Sequence, residues 1–140
     1  MTDRDVVLQM AWKLWGTPYI WGGDTPQGFD CSGMMIELLQ SVGAFPRGQD
    51  TTANGLMSRY PEIHEREVIP TDLIFWVNAG GRATHVGMAL DPPHLYIGAE
   101  GGGSTTRTLA DAWNRGAYAK IRPIQSRGTK GTRRFARWGE

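Results

Sequence analysis

GTPYIWGGDTPQGFDCSG, residues 16–33, is the stretch that decides the fold, because a loop runs directly into a helix within it. Glycine and proline interrupt its first part repeatedly, at positions that include Gly22, Gly23, Pro26 and Gly28. Since these residues block regular helix and strand, residues 17–30 are predicted to form one shaped loop. Loops of this length in a compact domain are often functional. The stretch also contains Cys31, the only cysteine of the 140-residue chain.

A helix is predicted to begin at Cys31 and to continue to about Val42. Asp30 is a favourable N-cap residue, and Gly43 is a favourable residue to end the helix. The apolar residues follow helical spacing and share one side with Cys31: Met34, Met35, Leu38, Leu39 and Val42. The thiol is therefore predicted in the first turn of the helix, facing inward or into a cleft.

The predicted position of Cys31 suits a nucleophile. A thiol reacts as its thiolate, and the exposed N–H groups and dipole of a helix N-terminus stabilise that anion. A backbone N–H at the same end is available for the oxyanion of a tetrahedral intermediate. The alternative for a lone cysteine is an inert, buried, small hydrophobic side chain.

A nucleophilic cysteine needs a base, and the chain has three histidines. His64 lies in a polar run that predicts a surface connection, and His94 follows Asp-Pro-Pro at the expected tip of a hairpin. His85 begins a strand and shares one face with Gly87 and Ala89, which are small enough to leave room for a substrate. His85 is therefore the predicted base, with a strand-end histidine satisfied by a backbone partner as the alternative.

Helices are predicted in the first half of the chain and short strands in the second. Residues 3–15 form an amphipathic pattern that predicts a helix ending at Gly16, and residues 51–59 predict a short helix. Apolar or alternating runs predict strands at residues 73–77, 85–90, 95–99 and 117–121. This segregation predicts an α+β fold with helices on one side of an antiparallel sheet. We expect one domain over residues 1–126 and a basic, solvated tail over residues 127–140.

The composition argues against several classes of function. The 15 Lys and Arg nearly balance the 14 Asp and Glu, so no overall charge favours nucleic acid or an anionic membrane. The N-terminal MTDRDVVLQM lacks the basic and apolar segments of a signal peptide, and no apolar stretch is long enough for membrane insertion. No spacing of Cys, His and carboxylate residues resembles a zinc site, so neither a metal nor an organic cofactor is expected.

Ordered motifs along the chain resemble one known family. The loop and helix of residues 16–33 and the strand THVGMAL, residues 84–90, are together similar to the NlpC-type cell-wall peptidases, a family of papain-like cysteine hydrolases. The resemblance extends through TTANGL, TDLIFW and IGAEGGG and covers most of residues 5–122. It implies a papain-like domain with its nucleophile at a helix N-terminus. The short chain also resembles bacteriophage members, which implies action at the cell wall from a virion or after release from the cytoplasm.

The resemblance implies roles for particular residues. Cys31 attacks the scissile carbonyl, and His85 activates Cys31 and later protonates the leaving amine. Tyr19 reaches the active site, and Asp30 and Ser32 help to recognise the amino end of the substrate. Tyr19 as a packing residue and Asp30 as a helix cap alone remain the alternatives.

The chain departs from the family pattern at the residue that orients the histidine. Family members commonly have FIHA where this chain has YIGA, which places Gly98 at the orienting position. If a hairpin loop spans residues 91–94, His85 faces Glu100 across two strands. A carboxylate there would hold the histidine tautomer and stabilise the imidazolium. Glu100 is therefore the predicted orienting residue, with a water or a backbone carbonyl as the alternative. A second departure, Thr71 in place of the usual Gly, is expected to alter only a turn.

The resemblance implies an endopeptidase that cleaves stem peptides of peptidoglycan, often at the bond between γ-D-glutamyl and a diamino acid. An N-acetylmuramoyl-L-alanine amidase is the enzymatic alternative. A non-catalytic wall-binding or phage tail module is the alternative outside enzymes. Trp21, in the loop before the nucleophile, is predicted to border the cleft and to contact the substrate. Peptidoglycan peptides are the expected partner, and phage tail proteins are a further one.

Overall fold

The computed structural model describes residues 1–25 and 28–139, so residues 26 and 27 of the predicted loop lie outside the described residues. The helices in this part of the chain are α1 Asp3–Lys13, α2 Cys31–Gln40, α3 Ala53–Arg59 and α4 Leu109–Arg115. The strands are β1 Asp24–Thr25, β2 Gly28–Phe29, β3 Glu62–Ile63, β4 Leu73–Val77, β5 Ala83–Ala89, β6 Leu95–Glu100, β7 Tyr118–Pro123 and β8 Arg133–Ala136. Short 3-10 helices cover Glu65–Glu67, Ile124–Ser126 and Lys130–Thr132.

One antiparallel sheet organises the domain, with six strands in the order β3-β8-β4-β5-β6-β7. β1 and β2 form a separate antiparallel pair just before α2. α2 packs against β5 and β6 and also contacts α1 and α3. The predicted α+β fold, with amino-terminal helices against an antiparallel sheet, is confirmed. None of the described helices is long and apolar enough to cross a membrane.

Side-chain caps fix where the α-helices begin. In each of the four, the residue before the helix accepts a hydrogen bond from a backbone N–H of the first turn, and these N-cap residues are Thr2, Asp30, Thr52 and Thr108. Such caps satisfy N–H groups that have no partner within the helix. The cap at Asp30 matters most for the site, because it places Cys31 at the first position of α2.

The two faces of the sheet carry different packing. Leu73, Phe75, Val86, Met88 and Ile97 belong to the main core beneath the helices. Alternate residues of the same strands, Ile74, Trp76, Ala89 and Tyr96, form a smaller cluster on the opposite face together with Ile124 and Phe135. This separation follows from the two-residue period of a strand. His85 belongs by alternation to the second face, where its ring lies 5.3 Å from the Trp76 ring.

The prediction of a solvated carboxy-terminal tail is wrong, because this segment contributes a strand to the sheet. β8 lies between β3 and β4, with Ile74 opposite Phe135. Two arginines of the segment have acidic partners: Arg133 binds Glu65 at 3.3 Å, and Arg137 binds Asp72 at 2.8 Å. Alternation in RRFA is too short to distinguish a strand from a charged end. The side chain of Lys130 and all of Glu140 lie outside the described residues.

Other boundaries also differ from the sequence predictions. α2 ends at Gln40 rather than at Val42, and Gly43 has a left-handed φ of 76° in the turn beyond it. α4 is not predicted from sequence, because its seven residues leave most of their apolar side chains exposed and show no clear periodicity. The pair β1–β2 lies in the segment predicted as a loop, where each strand has only two residues.

Asp72 ties both ends of the chain to the start of β4. Its side chain is fully buried and binds two guanidinium groups, that of Arg137 at 2.8 Å and that of Arg4 at 3.3 Å. The preceding residue, Thr71, has a φ of 75°, a left-handed conformation that costs more for a β-branched residue than for glycine. Arg4 and Trp138 both bind Thr71, through its hydroxyl and its carbonyl. The substitution that was expected to alter only a turn is therefore held in place by contacts from both termini.

Asp72→Asn is expected to destabilise the fold by roughly 3 kcal/mol, because it removes a buried carboxylate that binds two partly buried guanidinium groups. Urea unfolding followed by tryptophan fluorescence measures the loss. Glu62→Gln, which removes an exposed carboxylate of β3, is the matched control and is expected to change the stability by less than about 0.5 kcal/mol. Equal stability of the two variants would contradict a structural role for this ion cluster.

Candidate active site

Cys31 is positioned by the junction between the loop and α2. The Asp30 carboxylate accepts hydrogen bonds from the N–H of Gly33 at 2.7 Å and from the N–H of Gly22 at 3.0 Å. The backbone approach is so close that a Cβ on Gly33 would lie 2.0 Å from the Gly23 carbonyl oxygen. Glycine at position 33 is therefore required by the packing of the loop on the helix, and the loop in turn fixes the first turn of α2.

The Cys31 sulfur lies beside the strand of His85, at a break in the sheet. β5 and β6 pair at Met88 with Ile97 and at Ala89 with Tyr96, and the described pairing stops there. In an undisturbed ladder the Val86 N–H would bond to the Ala99 carbonyl. Here the Val86 N–H donates to the Cys31 sulfur instead. Because Val86 follows His85 directly, this hydrogen bond brings the sulfur to the strand position of the predicted base.

A β-bulge lies next to the histidine. The partner of Trp76 is His85, whereas the partner of Val77 is Ala83, so Thr84 is an extra residue on β5. Bulges bend a strand locally and redirect its side chains. Ala83 and Thr84 both line the cleft beside Cys31, while His85 points to the opposite face of the sheet, with 6% of its surface exposed.

The thiol and the imidazole are both shifted toward their neutral forms. Burial raises the pKa of Cys31, and Asp30 raises it further, against the N–H groups of Val86 and Ser32 and the charge of Arg127. Burial lowers the pKa of His85, although its hydrogen bond to Glu100 acts in the opposite direction. Near neutral pH the imidazole is therefore available to accept the thiol proton, which is the state that a general base requires.

Glu100 contacts the imidazole in the predicted register. The observed pairs of β5 and β6 have the register that places His85 opposite Glu100, and Glu100 Oε2 lies 3.3 Å from His85 Nε2. A Cβ on Gly98 would lie 3.5 Å from the same nitrogen. The orienting position expected at residue 98 is therefore next to the imidazole but without a side chain, and the carboxylate comes from the residue two places further along β6.

Additional groups bind the Glu100 carboxylate. The Tyr96 hydroxyl donates to Oε2, and Arg122 donates to Oε1 at 2.8 Å. Burial alone would raise the pKa of Glu100, but the hydrogen bonds from His85, Tyr96 and Arg122 outweigh it and lower the pKa to about 2. Glu100 is thus a carboxylate at any physiological pH. A carboxylate beside Nε2 favours the tautomer with its proton on that nitrogen, which leaves Nδ1 as the acceptor nitrogen.

Tyr96, Arg122 and Arg127 were not among the residues identified from sequence. Tyr96 alternates with Gly98 and Glu100 on β6, so strand periodicity was a usable signal for it. It also fills the space above Gly87, where a Cβ would lie 2.7 Å from the Tyr96 ring. The room that small residues on β5 were expected to leave for a substrate is therefore occupied by this ring. The arginines gave no signal, because their position depends on how β7 and the following segment pack.

The cleft beside Cys31 has a volume of about 310 Å³. Its lining includes all four residues predicted to bind substrate, Tyr19, Trp21, Asp30 and Ser32. It also includes residues not singled out from sequence, Asp50, Thr51, Thr52 and Thr84. The TTANGL motif was the available signal for part of this wall, because Thr52 caps α3 there.

The four predicted binding residues differ in exposure. Tyr19 is almost buried against Gly102, where a Cβ would lie 2.2 Å from its ring, so packing accounts for much of its environment. Burial, with a smaller effect from Cys31 and Asp30, raises the pKa of Tyr19 to about 12, so the phenol stays neutral. Trp21 is about half exposed at the cleft border. The Ser32 hydroxyl lies 3.4 Å from Asp30. Among the described residues, no group of three or more His, Cys, Asp or Glu is arranged to hold a metal ion.

Glu100→Gln is expected to reduce the acid dependence of stability. A carboxylate whose pKa falls from 4.5 to about 2 on folding stabilises the folded state above pH 4.5, and this contribution is lost as the pH falls toward 2. The stability difference between wild type and variant should therefore narrow by roughly 2 kcal/mol between pH 7 and pH 3. Denaturant unfolding at both pH values measures it, with Glu62→Gln as the exposed control. A difference that does not change with pH would contradict the assignment.

Known proteins share this architecture and sequence pattern. The model of the NlpC/P60 family matches residues 16–122. Protein P54 of Enterococcus faecium is 34% identical over 76% of the chain, and the bifunctional muramidase/DL-endopeptidase CwlT of Bacillus subtilis is 35% identical over 70%. The chain spans only 20% of the first and 28% of the second. The structure of the NlpC/p60 domain of the peptidoglycan hydrolase SagA is 27% identical, with a TM-score of 0.72, and covers 97% of this chain and 99% of that one. The chain belongs to the NlpC/P60 family.

Proposed function

We propose that this chain is a cysteine peptidase that hydrolyses an amide bond in the stem peptides of bacterial peptidoglycan. The observation that carries the proposal is the hydrogen bond from Val86 to the Cys31 sulfur, which brings the thiol to the strand position of His85. Glu100 supports the imidazole from the other side. Relatives named as a DL-endopeptidase and as a peptidoglycan hydrolase support the substrate class.

Acylation begins with transfer of the thiol proton to His85. The Cys31 thiolate attacks the scissile carbonyl carbon, and the carbonyl electrons move to the oxygen, which the first backbone N–H groups of α2 stabilise. The tetrahedral intermediate collapses as the C–N bond breaks, and the imidazolium of His85 gives its proton to the leaving amine. The products are a free amine and a thioester on Cys31.

Deacylation repeats the same proton path with water. His85 takes a proton from a water molecule as its oxygen attacks the thioester carbonyl. The C–S bond then breaks, the proton returns to the sulfur, and a carboxylic acid is released. Glu100 does not change its protonation state in either half of the reaction, because its role is to hold the imidazole and to stabilise its charged form. The net reaction consumes one water molecule for each amide bond.

The cleft supports recognition of a peptide with a free amino end. Asp30 places an acidic side chain at the cleft wall, with Asp50 nearby, so a positively charged ammonium group is attracted there. Trp21 offers an exposed apolar face at the border. The proposed scissile bond is the one between γ-D-glutamyl and a diamino acid, which places the enzyme's action at the cell wall. Association with a phage tail stays a prediction.

Wall digestion tests the proposed reaction. Purified wall from Gram-negative and Gram-positive cells is incubated with the wild type, Cys31→Ala and His85→Gln, and new ends are identified by mass spectrometry. New ends at a D-glutamyl bond are expected with the wild type, and both variants should lose at least about 10³-fold in rate. His94→Gln, an exposed histidine outside the site, is the matched control and should retain the rate.

The products also separate the alternatives. Free lactyl groups on muramic acid would assign the chain as an N-acetylmuramoyl-L-alanine amidase. No cleavage of either wall, together with wall binding and a Cys31 that does not react with iodoacetamide near neutral pH, would contradict an enzyme and favour a non-catalytic binding module. Thermal unfolding of each variant shows whether a lost rate reflects the chemistry or the fold.

Asp30→Asn separates substrate recognition from helix capping. Asparagine caps a helix about as well as aspartate, so the fold and the position of Cys31 should be retained. If the charge binds the amino end of the substrate, the wild type prefers a peptide with a free amino end over its N-acetylated form. In the variant, the ratio of kcat/KM for the free peptide to kcat/KM for the acetylated peptide should fall about tenfold. An unchanged preference would restrict Asp30 to the cap.

A further inference from the structure

The charge of Glu100 presents a physical conflict in the site. A carboxylate beside His85 favours the imidazolium, but its field also opposes a thiolate on the other side of the ring. At an effective dielectric constant of about 20, unit charges separated by roughly 8 Å interact strongly enough to change an ionised population more than tenfold. An uncompensated glutamate would therefore help one half of the catalytic pair and hinder the other.

Two guanidinium groups contact the Glu100 oxygen that does not contact His85. Arg122 Nη1 is 2.8 Å from Oε1, and Arg127 Nη1 is 3.7 Å from the same oxygen. The two carboxylate oxygens therefore have different partners. Oε1 contacts the arginines, whereas Oε2 contacts His85 and the Tyr96 hydroxyl. Arg127 also lies close enough to influence both reacting groups, lowering the pKa of Cys31 and that of His85.

Both arginines are held by contacts of their own. Arg122 lies opposite Tyr96 in the β6–β7 pair, and its remaining N–H groups bind the Ser126 hydroxyl at 3.1 Å and the Ser126 carbonyl at 2.9 Å. The Arg127 guanidinium lies 5.5 Å from the Trp76 ring centre, and the Trp76 indole donates to the Arg127 carbonyl at 2.9 Å. Such restraints lower the entropy cost of placing a flexible cation at a defined site.

We infer that Arg122 and Arg127 are positioning residues of the reaction proposed above: they hold Glu100 against His85 and offset its charge, so that an anionic orienting residue is compatible with a Cys31 thiolate. The inference rests on the proposed function. It accounts for the glycine at position 98, because the imidazole is oriented from residue 100 and a side chain at 98 would compete for the same nitrogen.

The remaining charged and titratable groups around the pair do not supply this balance. Those that act on Cys31, His85 or Glu100 are Asp30 and Tyr19 at the cleft, Tyr96 on β6, and the two arginines. Asp30 adds negative charge near the sulfur, and both tyrosines are neutral because burial raises their pKa. Among these groups of the described residues, Arg122 and Arg127 are therefore the cations that offset the charge of Glu100.

The test compares Arg122→Gln, Arg122→Lys, Glu100→Gln and the double variant Arg122→Gln with Glu100→Gln. The rate of Cys31 alkylation by iodoacetamide is measured against pH, which reports the thiolate without any wall substrate. Arg122→Gln should move the midpoint to higher pH by roughly 0.5 to 1 unit, because the carboxylate charge is no longer offset. The double variant should return to within about 0.3 unit of the wild type, because it removes both charges, and Arg122→Lys should keep the wild-type midpoint.

Hydrolysis of a stem peptide gives the second readout. Both limbs of the pH profile of kcat/KM should move upward in Arg122→Gln, and kcat should fall more than KM changes. Arg107→Gln, an exposed arginine bound to the Ser104 carbonyl, is the matched control and should change neither readout. If Arg122→Gln fails to fold, Arg127→Gln tests the same expected direction from a half-exposed side chain.

The outcomes separate this inference from the proposed function. An alkylation midpoint that is the same in the wild type and Arg122→Gln, or a double variant that stays with the single variant, would overturn charge compensation while leaving the peptidase intact. A shifted midpoint that returns in the double variant, but with no wall cleavage by any form, would contradict the peptidase and keep the electrostatic arrangement. Shifts in both readouts, reversed in the double variant, support both.

Discussion

The active site depends on one interrupted step in a β-ladder. Where β5 and β6 would continue their pairing, the Val86 N–H binds the Cys31 sulfur instead of a carbonyl. A buried N–H needs a partner, so the sulfur replaces the missing hydrogen bond and the helix N-terminus is fixed against the strand. The Cys31 thiol is thereby placed beside the residue that follows His85 on β5.

This arrangement divides the site between two environments. The thiol opens on a cleft built from the loop before α2 and the start of α3, which is the proposed substrate site. The imidazole lies on the other face, among Trp76, Tyr96 and Glu100, where side chains from β7 and the following segment complete its support. Changes in substrate specificity and changes in the support of the base are therefore separable, because different residues on different faces control them.

The carboxy-terminal segment connects the fold to this support. β8 lies inside the sheet, and Arg137 binds the buried Asp72 at the start of β4. Arg127 precedes β8, and its carbonyl accepts a hydrogen bond from the indole of Trp76 in β4. The residues that first resemble a charged end of the chain thus stabilise the sheet, and Arg127 among them lies beside the proposed catalytic pair. An arginine that pairs with a buried carboxylate stabilises the fold, whereas an arginine that stays in water contributes little to stability.

The sequence by itself determined the local elements and the chemistry: the capped helix that begins at Cys31, the alternation that selects His85 and the hairpin spacing that places Glu100 opposite it. These follow from periods of 3.6 and 2 residues and from turn residues, which act over short distances along the chain. Only the tertiary structure decided that β8 joins the sheet, that Tyr96 fills the space above Gly87 and that Arg122 and Arg127 reach Glu100. Those contacts bring together segments far apart in sequence, and their free energy comes from burial and charge pairing that no local pattern encodes.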